Sequence, residues 1–338
     1  MLRLSLLLAF LAMVPTTFAK QFTHWFPQFG NKLSSTLHNN CSTAYEQFLG
    51  HIPNSCPPDS VQCVQGLVVE CILSNVGEAP KANMAAAAVV LGLLPTVLGF
   101  IGSNTAETGI LAVRRPFLAL LIATGAPAVS PIRTFEYRSP LEILKQHGDT
   151  VDLPRLGKAS SNAVLLAEYL LACVSIANLA FGSWQLSIYT VCSFAMDDDF
   201  HPLLWAFIAI AIHIAGAVAV VLRISIQDFD EHLSLASIWG NEFRLCAKQK
   251  KSQLRVKRES YLFIVVSYCT SLGTILHIIY GTMVFSSILF ISTADALLVA
   301  VRLLASAIVC RMILMFELWG MRATVTTDLY DDEIEMVE

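Results

Sequence analysis

Six apolar segments follow one another along the chain after a polar N-terminal part. Five of them are about 20 residues long, the length that an α-helix needs to cross the hydrocarbon core of a bilayer. The pattern therefore predicts five transmembrane helices, at residues 84–102, 163–184, 203–222, 261–281 and 295–316.

The remaining apolar segment, 117–131, differs from the other five. It is about 15 residues long, so as a helix it extends at most about 22 Å, and it contains Gly125, Pro127 and Pro131. We expect it to dip into the membrane and return, or to lie in the interface. The alternative is a short sixth span kinked at its prolines.

Basic residues favour the five-span interpretation. Positively charged loops stay on the cytoplasmic side of a membrane. Loops 103–160 and 223–260 are rich in Lys and Arg, whereas loop 185–202 has three aspartates and no basic residue. Five spans place both basic loops in the cytosol if the N-terminus is outside and the C-terminus inside. A full crossing by 117–131 would place 223–260 outside.

The uncharged run 261–292 is too long for one untilted span. We expect Gly281 to end the fourth span and Thr282–Ser292 to form a lumenal hairpin or cap, with the last span at 295–316. A second interpretation ends the last span near Arg302. Both interpretations leave the C-terminus in the cytosol.

Residues 1–19 have the pattern of a secretory signal peptide. Arg3 precedes the apolar run Leu4–Val14, Pro15 interrupts it, and small residues precede Ala19. This pattern predicts cleavage after Ala19 and entry into the secretory pathway. A short signal anchor is the alternative.

Residues 20–83 form a polar head that contains four of the nine cysteines. In an oxidising compartment they predict two disulfides with three pairings open. A head this small gains stability from such cross-links. Zinc binding is the less favoured alternative, because C-x-x-C spacing is absent. Asn40 begins an N-glycosylation acceptor tripeptide. The four cysteines are Cys41, Cys56, Cys63 and Cys71.

Composition agrees with the segment pattern. The chain is 55% hydrophobic and 14% charged, whereas a soluble globular chain has about 25% charged residues. Soluble and disordered classes are therefore excluded. The net charge of −4 provides no basic surface for nucleic acid. We expect membrane lipid around the helices and a protein partner at the head.

Ionisable side chains inside the apolar segments are the candidate functional residues, because charge in lipid is expensive. Their positions place Glu168 at the depth of Arg311 and His277 at the depth of Asp295, which predicts two pairs. Such residues could carry protons or bind a cation, or they could only fix helix packing by hydrogen bonds. The candidates are Glu168, His213, His277, Asp295, Arg302 and Arg311.

Three features are predicted on the cytoplasmic side. A short helix at about 140–147 begins at Ser139 and ends at Gly148, and residues 319–338 form an acidic tail. A basic run beside a span either attracts anionic lipid headgroups or only determines topology. This run contains Lys248, Lys250, Lys251, Arg255, Lys257 and Arg258.

The sequence lacks the short motifs of nucleotide-binding proteins, serine hydrolases and zinc proteases. We therefore expect no enzymatic activity, no cofactor and no metal site. The expected organisation is a signal peptide (1–19), a head (20–83), a helical membrane domain (84–318) and the acidic tail.

Three segments resemble those of multi-pass integral membrane proteins of filamentous fungi. They are Leu111–Leu121, Gly125–Tyr137 and Leu276–Ser287, the last continuing to Cys310 and Arg311. The resemblance implies a fungal source and a membrane location, and it implies no reaction.

These observations together predict an all-α integral membrane protein. It has about five transmembrane helices, one re-entrant or interfacial segment and a small disulfide-stapled lumenal head. The favoured function is that of a non-enzymatic scaffold, sensor or assembly component in the plasma membrane or the secretory pathway. The alternative is a transporter or channel-like protein that uses the intramembrane Glu, His and Asp residues.

Overall fold

The structure, a computed structural model, describes residues 21–57, 60–131, 157–196, 198–227, 240–249 and 252–328. In chain order the helices are α1 (Pro27–Asn39), α2 (Ser42–Phe48), α3 (Val61–Asn75), α4 (Glu78–Ile101), α5 (Thr105–Arg114), α6 (Pro116–Gly125), α7 (Lys158–Tyr189), α8 (His201–Arg223), α9 (Tyr261–Ser286) and α10 (Thr293–Thr324). The strands are β1 (Val191–Cys192), β2 (Ile224–Gln227), β3 (Ser252–Val256), β4 (Ile288–Leu289) and β5 (Val325–Asp328).

The fold is an all-α membrane fold. Five helices, α4, α7, α8, α9 and α10, are long and apolar enough to cross a membrane. Their outer faces carry many exposed large apolar side chains, such as Leu166, Val174 and Leu298, as lipid contact requires. The prediction of five spans is confirmed.

Two boundaries near the end of the chain were predicted wrongly. Helix α9 continues through Gly281 to Ser286, and α10 extends from Thr293 to Thr324. The segment after α9 does not fold back on itself, because β4 pairs antiparallel with the distant strand β1. Helix α9 thus includes the first residues of the β-branched and aromatic segment that suggested a hairpin, up to Ser286.

Two small sheets join the ends of the helices. Strand β2 follows α8 directly and pairs antiparallel with β3, which precedes α9. Strand β3 also pairs in parallel with β5, which follows α10. The end of α8, the start of α9 and the end of α10 therefore meet at one place, as expected for spans that alternate in direction.

The chain divides into two compact units. The head unit comprises Met1–Leu94, Gly182–Leu203 and Gly281–Ala300. The hairpin unit comprises Pro95–Phe181, Leu204–Tyr280 and Val301–Glu338.

The head unit has an apolar core with covalent cross-links. Leu33 and Leu37 of α1 pack with Val68 and Ile72 of α3 and with Phe290. The two predicted disulfides are confirmed, and the pairing is Cys41–Cys71 and Cys56–Cys63.

The hairpin unit is named after α5 and α6, which pack against each other as a helical hairpin. The hairpin begins and ends at the same point, because Ser103 and Val129 form a parallel bridge and the Ser130 amide donates to the Ser103 carbonyl at 3.1 Å. Each helix has 10 residues, about 15 Å of length, which is half of a hydrocarbon core. Helix α6, which follows Arg115, is therefore too short to cross a bilayer, and it runs back beside α5 to the point where α5 began.

Several predictions concern residues outside the described ranges. They are the signal peptide 1–19, the short helix 140–147 and most of the acidic tail. These stay predictions, as does the division into four parts.

Candidate functional site

The first polar feature of the hairpin unit is a break between α4 and α5. Helix α4 ends at Ile101, and α5 begins after an irregular stretch with a capping box. The Asn104 side chain accepts from the Ala106 amide at 2.9 Å. The Glu107 carboxylate accepts from the Asn104 amide at 3.1 Å. These bonds satisfy amides that a helix start leaves unpaired.

The break lies at membrane depth. A Cβ on Gly216 of α8 would lie 2.5 Å from the Thr105 Cβ, so the first residue of α5 packs directly on this glycine. Gly216 precedes the end of α8 at Arg223 by about 10 Å of helix. Gly109 meets Val220 in the same way, so α5 runs alongside α8 in the same direction.

Buried and half-buried polar side chains from three helices surround this break. The Glu107 carboxylate pairs with the Arg311 guanidinium of α10, with Nη2 donating at 3.0 Å. Thr108 Oγ1 lies 3.0 Å from His213 Nδ1 of α8. We call this set the break layer; it consists of Ser103, Asn104, Glu107, Thr108, His213 and Arg311.

Two members of the break layer are fully buried polar side chains, and one of them has spare hydrogen-bonding capacity. Ser103 and His213 are 0% and 2% exposed. Ser103 Oγ has no hydrogen-bond partner among the described residues, whereas the His213 ring contacts Thr108 Oγ1 and the Ala128 backbone. Polar atoms at membrane depth are costly when they are unpaired. The break layer therefore contains a buried hydroxyl, that of Ser103, which the contacts within the described residues leave unpaired.

The second polar feature lies at the tip of the hairpin, where Arg115 connects α5 to α6. Its Nη1 lies 2.8 Å from Glu168 Oε2 of α7 and 2.9 Å from Glu317 Oε2 of α10. The three side chains are 0%, 5% and 1% exposed. The Arg115 Nε donates to the Glu242 carbonyl at 3.0 Å. The tip cluster is therefore a buried ionic site; it consists of Arg114, Arg115, Glu168, Tyr169, Glu242 and Glu317.

Electrostatics keep Arg115 charged in this site. Burial by itself lowers the pKa of the Arg115 guanidinium, but the charges of Glu317 and Glu168 outweigh burial and raise the pKa above its usual range. A buried cation held between carboxylates from two helices fixes the position of the hairpin.

Glu242 stabilises the start of α6 from a distant part of the chain. Its carboxylate accepts from the Phe117 amide at 3.1 Å and from the Leu118 amide at 2.8 Å. The Tyr169 hydroxyl donates to the same carboxylate at 2.7 Å. The carboxylate thus pairs the free amides at the positive end of the helix.

Further contacts hold the segment 240–249 in place. The Arg114 guanidinium donates to Gln249 Oε1 at 3.2 Å and to Thr324 Oγ1 at 3.1 Å. The Cys246 amide donates to Glu317 Oε2 at 3.0 Å. The hairpin tip, this segment and the end of α10 are therefore connected by one network.

The predicted Glu168–Arg311 ion pair is wrong. Arg311 pairs with Glu107, and Glu168 pairs with Arg115, so Glu168 and Arg311 belong to different polar sites. Depth along a helix fixes the level of a residue, but it does not fix the side of the helix on which the residue lies.

The predicted His277–Asp295 pair is also wrong. His277 Nε2 lies 2.9 Å from the Trp205 carbonyl, and its ring stacks on Trp205. Asp295 accepts from the Ser292 hydroxyl at 2.8 Å and from the Gln28 amide at 3.3 Å. Asp295 thus stabilises the start of α10.

Arg302 has a local partner. Its Nε donates to Asn178 Oδ1 at 3.1 Å, and its guanidinium lies over the Phe181 ring at 5.1 Å. These contacts join α10 to α7 and require no ligand.

Sequence reasoning missed most of the charged residues that form the two sites. They lie in segments that were interpreted as loops or as topology determinants. One signal was available: a carboxylate in an apolar segment, such as Glu168, requires a cation, and the adjacent arginines precede the re-entrant segment. The missed residues are Glu107, Arg114, Arg115, Glu242 and Glu317.

The other predicted site residues lie at the surface. Lys248, Arg255, Lys257 and Arg258 are exposed, as a lipid-facing basic run requires, and Lys250 and Lys251 fall outside the described residues. Asn40 is exposed and donates to Asn75 Oδ1 at 3.1 Å. Glycosylation of Asn40 stays a prediction.

In the part of the chain that the structure describes, no group of three or more His, Cys, Asp or Glu side chains could hold a metal ion. Comparison with protein-family models, with curated proteins and with solved structures finds no match to this chain. The geometry of the two polar sites is therefore the basis for a proposal of function.

Proposed function

We propose that this multi-pass membrane protein is a non-enzymatic transporter or channel-like protein, with the break layer as its polar site. The observation that carries the proposal is the broken helix α4–α5, which is followed by the re-entrant helix α6. Irregular backbone at membrane depth is tolerated where it is buried in protein or lines a cavity, and discontinuous helices form the binding sites of many transporters. A scaffold needs no such break.

The charges of the tip cluster support a proton-linked mechanism. One guanidinium, that of Arg115, contacts two carboxylates, those of Glu168 and Glu317. Two ionised carboxylates with one cation leave an excess negative charge in a buried site, which is costly. A proton shared by the two carboxylates removes that charge. The cluster thus provides a place where a proton is taken up or released during a conformational change.

The test is proton flux into proteoliposomes that contain the purified full-length protein, under an imposed pH gradient and membrane potential. We expect flux above that of empty liposomes, and we expect His213→Ala and Glu107→Gln to reduce it to background. Ser306→Ala is the matched control, since Ser306 is a buried α10 hydroxyl outside the break layer that accepts from Asn178 at 2.8 Å. Flux equal to that of empty liposomes, or flux unchanged in His213→Ala, contradicts the proposal.

A second candidate, a scaffold or sensor that binds a protein partner through its head, has its own support. Three large apolar side chains of the head are exposed: Leu49 by 37%, Ile52 by 41% and Val61 by 40%. Leu49 and Ile52 precede the short loop that the Cys56–Cys63 disulfide closes, and Val61 lies within that loop. Exposed apolar side chains near a cross-linked loop offer a surface for a protein contact.

This candidate is tested by changing the three apolar side chains to serine in the full-length protein. The expected result is loss of a partner that copurifies with the unchanged protein. Lys32→Ser, an exposed change on α1, is the control and should retain that partner. Retention by the triple variant eliminates this surface as the binding site.

We also propose that the head faces the lumen or the cell exterior and that the C-terminus lies in the cytosol. The charge difference between the loops supports this orientation. Acceptor sites for N-glycosylation introduced at Lys32 and at Lys257 provide the test. We expect modification of the site introduced at Lys32 and not of the site introduced at Lys257. Modification at Lys257 would show that the orientation is the opposite one.

A further inference from the structure

A cavity opens at the first turn of α7. Its volume is about 290 Å³, close to the lower limit of about 300 Å³ for small-molecule pockets. It is therefore suited to a small group. One wall comes from α7 and the other from the segment 240–249; the residues that matter are Lys158, Ser161, Asn162, Phe243, Arg244 and Lys248.

The charge of the cavity is positive. Lys158, Arg244 and Lys248 line it, and no acidic side chain is among its lining residues in the described part of the chain. Helix α7 also has no acidic residue in its first turn. Asn162 adds an amide, and all three cations are exposed, so the cavity attracts anions from the surrounding solvent.

The backbone that carries two of the cations is held by hydrogen bonds that connect to the tip cluster. The Gln249 side-chain amide donates to the Asn241 carbonyl at 2.8 Å and to the Arg244 carbonyl at 3.1 Å. The Lys248 ammonium donates to the Gly157 carbonyl at 3.3 Å. Because the backbone that carries Arg244 and Lys248 is fixed, little ordering is needed when an anion binds.

Exposed aromatic rings lie next to the cations. Phe243 is 56% exposed, and its ring lies 6.0 Å from that of Tyr169, which lies 6.1 Å from that of Phe117. Aromatic side chains are enriched where a membrane meets water. Lys158 is the first residue of a membrane-spanning helix, so the cavity lies at the level of lipid headgroups.

We propose that this cavity binds a phosphate group, carried by the headgroup of an anionic phospholipid. The three cations neutralise the phosphate, Ser161 and Asn162 line its site, and the exposed rings of Phe243 and Phe117 contact the apolar part of the lipid. Free phosphate has the same chemistry, and the experiment therefore separates the two sources. This site is distinct from the exposed basic residues Arg255, Lys257 and Arg258, which lie outside the cavity.

The experiment is native mass spectrometry of the full-length protein in detergent, titrated with phosphatidic acid or phosphatidylcholine. We expect phosphatidic acid to bind in preference to phosphatidylcholine. Lys158→Ala, Arg244→Ala and Lys248→Ala together should weaken phosphatidic acid binding roughly a hundredfold. Equal binding of the two lipids to the unchanged protein overturns the proposal.

The control removes the same number of charges from the other basic residues, by Arg255→Ala, Lys257→Ala and Arg258→Ala together. This variant should bind phosphatidic acid within about twofold of the unchanged protein, because its charges lie outside the cavity. A diffuse basic surface would instead lose affinity in either variant. Equal loss in both variants overturns the proposal. Lys158→Arg with Lys248→Arg keeps the charges and should retain binding, which distinguishes a lost site from a misfolded protein.

Inorganic phosphate identifies the source of the ligand. If the phosphate is carried by a lipid, inorganic phosphate competes only weakly, because it lacks the apolar contact with Phe243. If inorganic phosphate binds to the unchanged protein and not to the cavity variant while phosphatidic acid binds to neither, the phosphate site stands and the lipid source is wrong.

Discussion

The head unit and the hairpin unit are stabilised by different means. The head unit has an apolar core of α1 and α3 side chains with two disulfides. Its buried polar contacts include neutral pairs such as Gln65 with Gln21, at 2.8 Å. The hairpin unit also has an apolar core, but it buries a guanidinium with carboxylates from two helices.

The difference reflects how much apolar burial can specify in each environment. In water, burial of Leu33 or Ile72 provides a driving force, and disulfides add to it. Within lipid the surroundings are as apolar as the protein, so apolar burial alone does not select one arrangement of helices. Buried hydrogen bonds and ion pairs do select one, because any other arrangement leaves them unpaired.

The largest effect is expected from Arg115→Met, which would show whether the hairpin unit depends on its ion pairs. The change leaves the carboxylates of Glu168 and Glu317 buried without their cation and should cost about 3–5 kcal/mol. Thermal unfolding of the purified protein in detergent measures the loss. Adding Glu168→Gln and Glu317→Gln to the same variant should recover most of it. An unchanged midpoint in Arg115→Met would mean that the cluster contributes no stability.

The disulfides provide the matching test for the head unit. Removing Cys41–Cys71, which spans 30 residues, with serine at both positions should cost about 3.6 kcal/mol. Removing Cys56–Cys63, which spans 7 residues, should cost about 2.4 kcal/mol. Hydrogen exchange of the α1 and α3 amides reports this loss locally. The amides of α6 should keep their protection in both variants. Loss of protection in α6 would contradict the comparison.

A smaller effect, about 2 kcal/mol, is expected from Glu242→Ala, because it leaves the Phe117 and Leu118 amides without their acceptor. Faster hydrogen exchange at the start of α6 is the measurement. Glu259→Ala is the control, since Glu259 forms a more exposed ion pair with Arg223, and such pairs contribute less than about 1 kcal/mol. If both variants lose equally, Glu242 does not act as a cap.

The smallest effect, about 1–2 kcal/mol, is expected from Gly216→Ala. The added methyl group would lie 2.5 Å from the Thr105 Cβ, so α5 must move away from α8, and overpacking of this kind is destabilising. Gly273→Ala is the control, because its added methyl group meets Ile212 at 3.5 Å, an ordinary contact. The thermal midpoint should fall for Gly216→Ala only. Equal midpoints would mean that the break layer tolerates a displaced α5.

The sequence predicted what depends on regular patterns. The five spans follow from segment length, and the disulfide-bonded residues follow from four cysteines in a short polar head. The return of the segment after Arg115 follows from its length and from the charges of the loops. The prediction that Gly281 ends the fourth span was wrong. A glycine inside an apolar run does not end a helix when lipid and neighbouring helices favour continuation of the helix.

The pattern of residues along the chain could not predict the two charged sites. Arg115 meets Glu168 and Glu317 only after three separate elements have packed, and no periodicity connects these positions. The predicted pairs used depth, which gave no information on the face of the helix. Charge balance was the better guide, because a carboxylate such as Glu168 in an apolar segment requires a cation nearby.

The tip cluster also imposes an order on assembly during synthesis. Arg115 is made before both of its carboxylate partners. Glu317 follows Arg115 by about 200 residues, which corresponds to some 10–40 s of translation at typical rates of 5–20 residues per second. Until then the guanidinium has only one of its two carboxylate partners, that of Glu168, so the tip cluster is incomplete. We therefore expect the hairpin to be fixed in its final position as a late step, when the last helix emerges.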